Sequence, residues 1–324
     1  MPPALFAIPF LLALLPSGAQ AAEQTPAAYP VRPLRIVTGF AAGGNTDIIA
    51  RSIAQKLTDR MGQQVIVENR PGAGSMLGTE YVARATPDGY TILLVTGAMT
   101  SQAAVMKKLP FDAARDFAYI SNAVTYPFVV VVKPDATMQN VSDLIAIAKK
   151  SPGKLNYASV GIGSVFHLGT ELFNAMAGVD MTHVPFKGGT EHMVALMGGR
   201  IDVVFDTLTG VFQHIQAGRM RALAVTSVER APLLPNLPTV AQTLPGYDVT
   251  SFSGFGAPRG TPPERITRLN REMRAALNEA DIRKRFVELG GGVQSSTPEE
   301  FTRHVMNEIA KWRKVATEKK IEIQ

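Results

Sequence analysis

The stretch Phe40-Ala41-Ala42-Gly43-Gly44-Asn45-Thr46-Asp47 packs two glycines and three small polar side chains into a few residues. Where such a stretch joins a strand to a helix, free backbone N–H groups and the positive end of the helix dipole converge on one point, which attracts anions. The glycines let a ligand approach the backbone, and Asn45, Thr46 or Asp47 can cap the helix. A tight strand-to-helix turn would account for Gly43-Gly44 equally well if it stood alone. It recurs, however, as Val160-Gly161-Ile162-Gly163-Ser164 and as Phe186-Lys187-Gly188-Gly189-Thr190, each at the same kind of junction. Facing one another, these helix starts would point into one cleft.

Other chemistries find less support. Gly72-Ala73-Gly74-Ser75-Met76-Leu77-Gly78 comes near a dinucleotide fingerprint, but Asn69-Arg70-Pro71 separates it from the preceding strand and no acidic residue closes a second strand after it. Neither a P-loop nor a G-x-S-x-G elbow occurs. The chain has no Cys, which excludes thiolate nucleophiles, disulfides and Cys-based zinc sites, and its five His form no close ligand pair. Neither metal nor cofactor is expected. Ser164 and His167 lie three residues apart on a helix, so a hydrolytic Ser/His pair is conceivable, although a packing or hydrogen-bonding role suits His167 better. Asp202 and Asp206 read as strand-end turn residues, with Asp206 also a candidate for the cleft wall.

The elements that must position these residues alternate short β-branched runs with helix-period segments, the pattern of α/β architecture with mainly parallel strands. Leu34–Phe40, Val65–Glu68 and Thr91–Thr96 read as strands, with helices over Asp47–Met61 and Gly78–Ala85. A second series runs through strand Phe128–Lys133, helix Val141–Lys150, strand Leu155–Ala158, helix Ser164–Ala177, strand Thr182–Pro185, helix Thr190–Met197 and strand Val203–Asp206. Each series is a doubly wound half. From Arg259 onward two long amphipathic helices follow, striped by Ile266, Leu269, Met273 and Leu277 and by Phe301, Val305, Ile309 and Trp312. Thr261-Pro262-Pro263-Glu264 and Thr297-Pro298-Glu299-Glu300 both have capping-box spacing. The C-terminal segment is expected to cover the first half, making the second lobe an insertion. The predicted division is a signal peptide over 1–21, lobe 1 over 22–126 and 229–324, and lobe 2 over 127–228.

The chain is 324 residues long, enough for two domains, and 46% hydrophobic with 19% charged residues, which excludes wholesale disorder. Ala4 to Leu15 is an apolar run too short to span a bilayer, followed by Ala19-Gln20-Ala21 with small residues at the cleavage positions. Export to the periplasm with cleavage after Ala21 is expected, although no Lys or Arg precedes the run. The net charge of +6 raises the question of nucleic acid. From Arg259 to Gln324 there are 14 Lys and Arg against 10 Asp and Glu, a surplus of four, and the signs interleave at helical spacing, as with Glu264 and Arg268. That is a solvated helix face rather than a basic groove with interleaved aromatics, so no nucleic-acid partner is expected.

Tyr29-Pro30, Val67-Glu68-Asn69-Arg70-Pro71-Gly72-Ala73-Gly74, Pro87-Asp88-Gly89-Tyr90-Thr91, Lys108-Leu109-Pro110-Phe111-Asp112, Pro152-Gly153-Lys154-Leu155-Asn156 and Val184-Pro185-Phe186-Lys187-Gly188 occur in that order. With Phe40, Gly43, Gly44 and Asp47, they make the chain resemble, over about 290 residues, the Bug-type, TctC-like extracytoplasmic solute-binding receptors of tripartite tricarboxylate transporters. The resemblance implies a type II periplasmic-binding-protein fold: two doubly wound α/β lobes with a cleft for a small carboxylate, held largely by backbone amides and ordered water. It carries ligand-binding roles to Phe40, Ala42, Gly43, Gly44, Asn45, Asp47, Thr96 and Gly97 in one lobe. In the other it carries them to Gly163, Ser164, His167, Phe186, Lys187, Gly188 and Asp206. Glu191 and His192 depart from the family pattern, so that Glu191 repels a second anionic end of the ligand or His192 pairs with one. The implied partners are the carboxylate and the membrane components of the transporter, with a monomeric receptor. The alternatives are a sensor that presents the ligand to a membrane kinase and, further off, a hydrolase using Ser164 and His167.

Overall fold

The computed structural model describes residues 29–186 and 190–321. The expected signal peptide, together with Lys187 and Gly188, lies outside them. The first half opens with strand β1 (Leu34–Thr38), helix α1 (Asn45–Met61), β2 (Val65–Asn69), α2 (Met76–Ala83), β3 (Thr91–Thr96) and α3 (Gly97–Val105). The chain continues through β4 (Phe117–Val132), α4 (Val141–Lys150), β5 (Asn156–Ser159), α5 (Val165–Ala177), β6 (Thr182–Pro185), α6 (Glu191–Met197), β7 (Val203–Thr207), α7 (Leu208–Gln216) and β8 (Arg221–Val225). It closes with β9 (Thr250–Pro258), α8 (Pro263–Leu277), α9 (Ala280–Glu288), β10 (Gly292–Val293) and α10 (Pro298–Glu318).

β1 pairs in parallel with both β2 and β3, and β5 pairs in parallel with both β6 and β7. These are the two halves expected from the α/β alternation. They are joined by β4, which runs longer than the apolar stretch from Phe128 suggested. Its residues from Phe117 to Pro127 pair antiparallel with β9, and from Phe128 onward the same strand pairs with β7 and β8. The earlier part escapes a hydrophobicity reading because Ser121 and Asn122 sit in it, both buried. Their polarity is matched by Ser296: Ser121 Oγ donates to its carbonyl at 3.0 Å, and the Asn122 N–H donates to its hydroxyl at 2.9 Å.

The chain crosses between the halves a second time at Val249–Thr250, later than the expected boundary at 229, since Val240, Tyr247 and Val249 pack with the second-half core. Thr226 ties the two crossings together. Its fully buried hydroxyl accepts from the Phe128 N–H at 2.8 Å and donates to the Val249 carbonyl at 2.6 Å.

The C-terminal helices cover the first sheet, as their stripes required. Ile266, Leu269, Met273 and Leu277 of α8 lie in one core with α1, while Phe301, Val305 and Ile309 of α10 lie in another with Val37, Leu93 and Met99. Three findings differ from the sequence reading. A third helix, α9, interrupts the pair, its stripe reduced to the buried Ile282 and Phe286. The last turns of α10 leave the first half, and Trp312, Val315 and Ala316 join Phe173, Phe205 and Tyr247 in the second-half core. The capping box forms at Thr297–Glu300, but not ahead of α8, where Thr261 donates to the Pro258 carbonyl and Pro262 takes the cap position without a side-chain bond.

Candidate functional site

The β1-to-α1 junction is held by one carboxylate. Asp47 is 4% exposed; its Oδ2 accepts from the Gly43 N–H and from Arg51 Nε, each at 2.9 Å, and its Oδ1 accepts from Asn69 Nδ2 at 2.9 Å. Burial alone would raise the Asp47 carboxyl, but the bonds from Arg51, Gly43 and Asn69 outweigh it and hold the group below the usual carboxylate range. Gly43 has φ of 83°, a conformation suited to glycine. Gly44 caps α1 with no side-chain bond, so no cap oxygen competes for the N–H groups of the first turn. Asp47 therefore shapes the loop with its own charge already engaged.

The β5-to-α5 junction repeats this plan with different chemistry. Gly163, at φ of 75°, donates its N–H to Nδ1 of His167 four residues on, at 3.0 Å. Ser164 caps α5, accepting from the His167 N–H and donating its hydroxyl to the Gly161 carbonyl at 2.7 Å. The His167 ring stacks on His183 with centroids 3.9 Å apart. Burial lowers both imidazoles to about 4, helped at His183 by the neighbouring His167 and opposed by Glu171. Both are therefore neutral at pH 7. Ser164 and His167 are not arranged as nucleophile and base, because the hydroxyl proton goes to a carbonyl while Nδ1 accepts from the backbone.

Asp206 turns away from the cleft. Its Oδ2 meets His192 Nε2 at 2.6 Å, both residues being buried, and its Oδ1 accepts from the Thr207 N–H. His192 thus pairs with a carboxylate of the protein, and Glu191 is exposed at the start of α6. Thr207 caps α7, its side chain accepting from the Gly210 N–H.

Between the halves lies a cavity of about 510 Å³. Residues at or flanking the starts of four helices reach it: Thr46 in α1, Thr96 before α3, Ser164 before α5 and Thr207 before α7. Of the residues to which the resemblance carries a ligand-binding role, Phe40, Thr96, Gly163 and Ser164 are on its wall, joined by Val160, Gly161 and Ile162 of the recurring glycine loop. Ala42, Gly43, Gly44, Asn45, Asp47, Gly97, His167, Phe186 and Asp206 are not, and Asp47, His167 and Asp206 instead fix the loops beside it.

Sequence reasoning missed Ala73, Gly74 and Met76, which also line the cavity. Residues 72 to 75 take positive φ one after another, including the non-glycines Ala73 (46°) and Ser75 (85°). The segment presses on the end of β1 so closely that a Cβ at Gly39 would stand 2.5 Å from Cβ of Ser75, and one at Gly78 would stand 2.9 Å from Cα of Gly39. The spacing of Gly72, Gly74 and Gly78 was the available signal: it marks close approach of backbone to backbone rather than to a dinucleotide. Tyr126, Phe128 and Ser251 at the crossings complete the wall and carry no such signal. A larger open depression, about 710 Å³, lies along β1 and α2, but its cations are paired, Arg32 with Asp88 and Arg84 with Glu80, each at 2.7 Å.

Two α/β halves joined by a shared strand, with four helix starts around one cleft, define a two-lobed solute receptor of the type II periplasmic-binding-protein fold. The chain belongs to the TctC family, whose model, described as tripartite tricarboxylate transporter family receptor, matches residues 49–321. It is 38% identical over 293 residues to a UPF0065 protein of Pseudomonas sp., covering 90% of this chain and 87% of that one. It is 33% identical over 293 residues to BugT of Bordetella pertussis, covering 90% of each. Among solved structures, Rpa4515 of R. palustris with adipate superposes with a TM-score of 0.80 at 36% identity, over 89% of this chain and 97% of that one. MatC of Rhodopseudomonas palustris with bound malate superposes with a TM-score of 0.76 at 32% identity, over 89% and 99%. Among the described residues no helix is long and apolar enough to cross a membrane.

Proposed function

We propose that this protein is a periplasmic receptor that captures a small carboxylate in its interlobe cleft and delivers it to the membrane components of a tripartite tricarboxylate-type transporter. The observation that carries the reading is the convergence of helix starts from both lobes on one cavity, within a family whose members with adipate and malate share the fold. The carboxylate is held by backbone N–H groups at the starts of α1 and α5, with Phe40, Thr96, Gly163 and Ser164 in contact. Because half of these contacts come from each lobe, they are complete only when the lobes meet, and the ligand shifts the population toward the closed form. Micromolar affinity corresponds to about −8 kcal/mol, within reach of several charge-assisted hydrogen bonds in a water-poor cleft.

The protein works as a monomer, without turnover, after removal of residues 1–21 on export. The engagement of Ser164 with Gly161 and of His167 with Gly163 supports binding over hydrolysis. The test is calorimetric titration with a panel of carboxylates, before and after Gly44→Phe, which sets a ring before the first turn of α1. Loss of affinity of at least about tenfold is expected, equivalent to about 1.4 kcal/mol. Unchanged affinity removes the first loop from the site, and product formed on long incubation removes the receptor reading.

A further inference from the structure

The loop that the second lobe lends to the cleft has little in its own backbone to hold it. Val160, Gly161, Ile162 and Gly163 line the cavity, and both glycines take positive φ, 133° at Gly161 and 75° at Gly163. Glycines so placed leave many conformations open, and the loop must be fixed from outside. Its far end is fixed by His167, which accepts from the Gly163 N–H. Its near end is fixed by Ser159, a fully buried residue that closes β5. The Gly161 N–H donates to Ser159 Oγ at 3.1 Å, and the same hydroxyl lies 3.0 Å from the Gly161 carbonyl and 2.7 Å from Nε2 of His183.

A serine hydroxyl has one proton and two lone pairs. All three contacts of Ser159 are hydrogen bonds in one arrangement: it accepts from the Gly161 N–H and from Nε2–H of His183, and it donates to the Gly161 carbonyl, whose other lone pair takes the Ser164 hydroxyl. His183 stands opposite Tyr157 in the β5–β6 pairing and stacks on both Tyr157 and His167, with centroids 4.9 and 3.9 Å away. Tyr157 is anchored in turn, its hydroxyl donating to Glu171 at 2.6 Å.

We propose that His183 is a positioning residue of the cleft: its Nε2–H turns the Ser159 hydroxyl onto the Gly161 carbonyl, and the stacked imidazoles thereby hold the cleft loop at both ends. This rests on the receptor reading above and gives a role to a side chain that is not on the cavity wall. A loop already set in its binding shape spares the ligand the entropy of ordering it.

Nitrogen NMR of the ligand-free mature chain reads the tautomer, and a proton on Nδ1 of His183 instead of Nε2 overturns the proposal. Amide exchange reads the loop. His183→Phe keeps a ring against Tyr157 and His167 but has no donor, and its Gly161, Gly163 and Ser164 amides should exchange at least about tenfold faster, with β5, β7 and the urea midpoint little changed. His183→Gln, which keeps an N–H, should restore most of the protection; unchanged exchange in His183→Phe overturns the proposal. Ser159→Ala is the milder variant and should match His183→Phe, with the double variant adding nothing, whereas additive effects would break the relay between the two residues. Calorimetry with adipate and malate as probes extends the test to binding, where affinity should fall about tenfold in His183→Phe and recover in His183→Gln. Faster exchange with unchanged affinity overturns the positioning role and leaves the receptor reading intact. Failure of the unsubstituted chain to bind either probe counts against the receptor reading, and the tautomer and exchange results then decide the role of His183 by themselves.

Discussion

The two strand-to-helix junctions use one hook and two chemistries. In each, a glycine at positive φ donates its N–H to the side chain four residues later, Gly43 to Asp47 and Gly163 to His167. The first hook ends in a carboxylate neutralised by Arg51 and Asn69; the second ends in a buried, uncharged imidazole stacked on another. The caps differ in the opposite sense, with no side-chain bond at Gly44 and a hydroxyl at Ser164. Loop geometry is thus fixed by the backbone donor and the spacing, while the acceptor is free to vary. The acceptor decides the response to pH, and the cap decides the number of first-turn N–H groups left for a ligand.

Breaking the first hook should have the largest effect. Asp47→Ala leaves the Gly43 N–H, Asn69 and Arg51 without their shared acceptor, and a loss of about 3 kcal/mol in urea denaturation is expected, reduced in Asp47→Asn, which keeps an oxygen. The second hook should reveal itself through pH. His167 titrates near 6.5 when unfolded and at about 4 when folded, so between these values the unfolded chain binds the extra proton. Stability is therefore full above pH 6.5 and falls as pH drops toward 4, by up to about 3 kcal/mol, with His183 adding in the same direction. A His167→Gln variant that keeps the full acid slope would refute this assignment. Ser164→Ala, which removes the cap found only at the second junction, should cost about 1 kcal/mol in thermal unfolding. The smallest change sharpens the contrast: Gly44→Ser gives the first junction the missing cap, raising stability by a few tenths of a kcal/mol. The same hydroxyl takes an N–H from the ligand, so affinity should fall about threefold by titration.

Much of the fold could be read from the chain because alternation and helical stripes report directly on burial. Thr91–Thr96, Val141–Lys150 and Thr182–Pro185 occupy the spans their patterns indicate, and every stripe residue of α8 and α10 named from the sequence is buried. The first part of β4 could not be read, since Ser121 and Asn122 look solvent-facing until Ser296 arrives from far along the chain to meet them. The site divides in the same way. Glycine spacing and helix starts announce the two junctions, whereas the roles of Asp47, His167 and Asp206 depend on which partner each finds, and that is a tertiary fact. Residues 72–78 show the limit most clearly, because the glycines there admit another backbone, and composition alone does not distinguish that from a nucleotide.

Thr226 gives the molecule its axle. Its single hydroxyl holds both crossings at once, through Phe128 and Val249, so on the clamp reading proposed above it is the natural pivot. On another side α10 acts as a stiff strut, with Phe301 footed in one lobe and Trp312 in the other. On the same reading, swinging the lobes apart would tilt that helix or draw the Trp312 indole out of its socket, so the far end of a helix remote from the ligand would limit how wide the mouth opens.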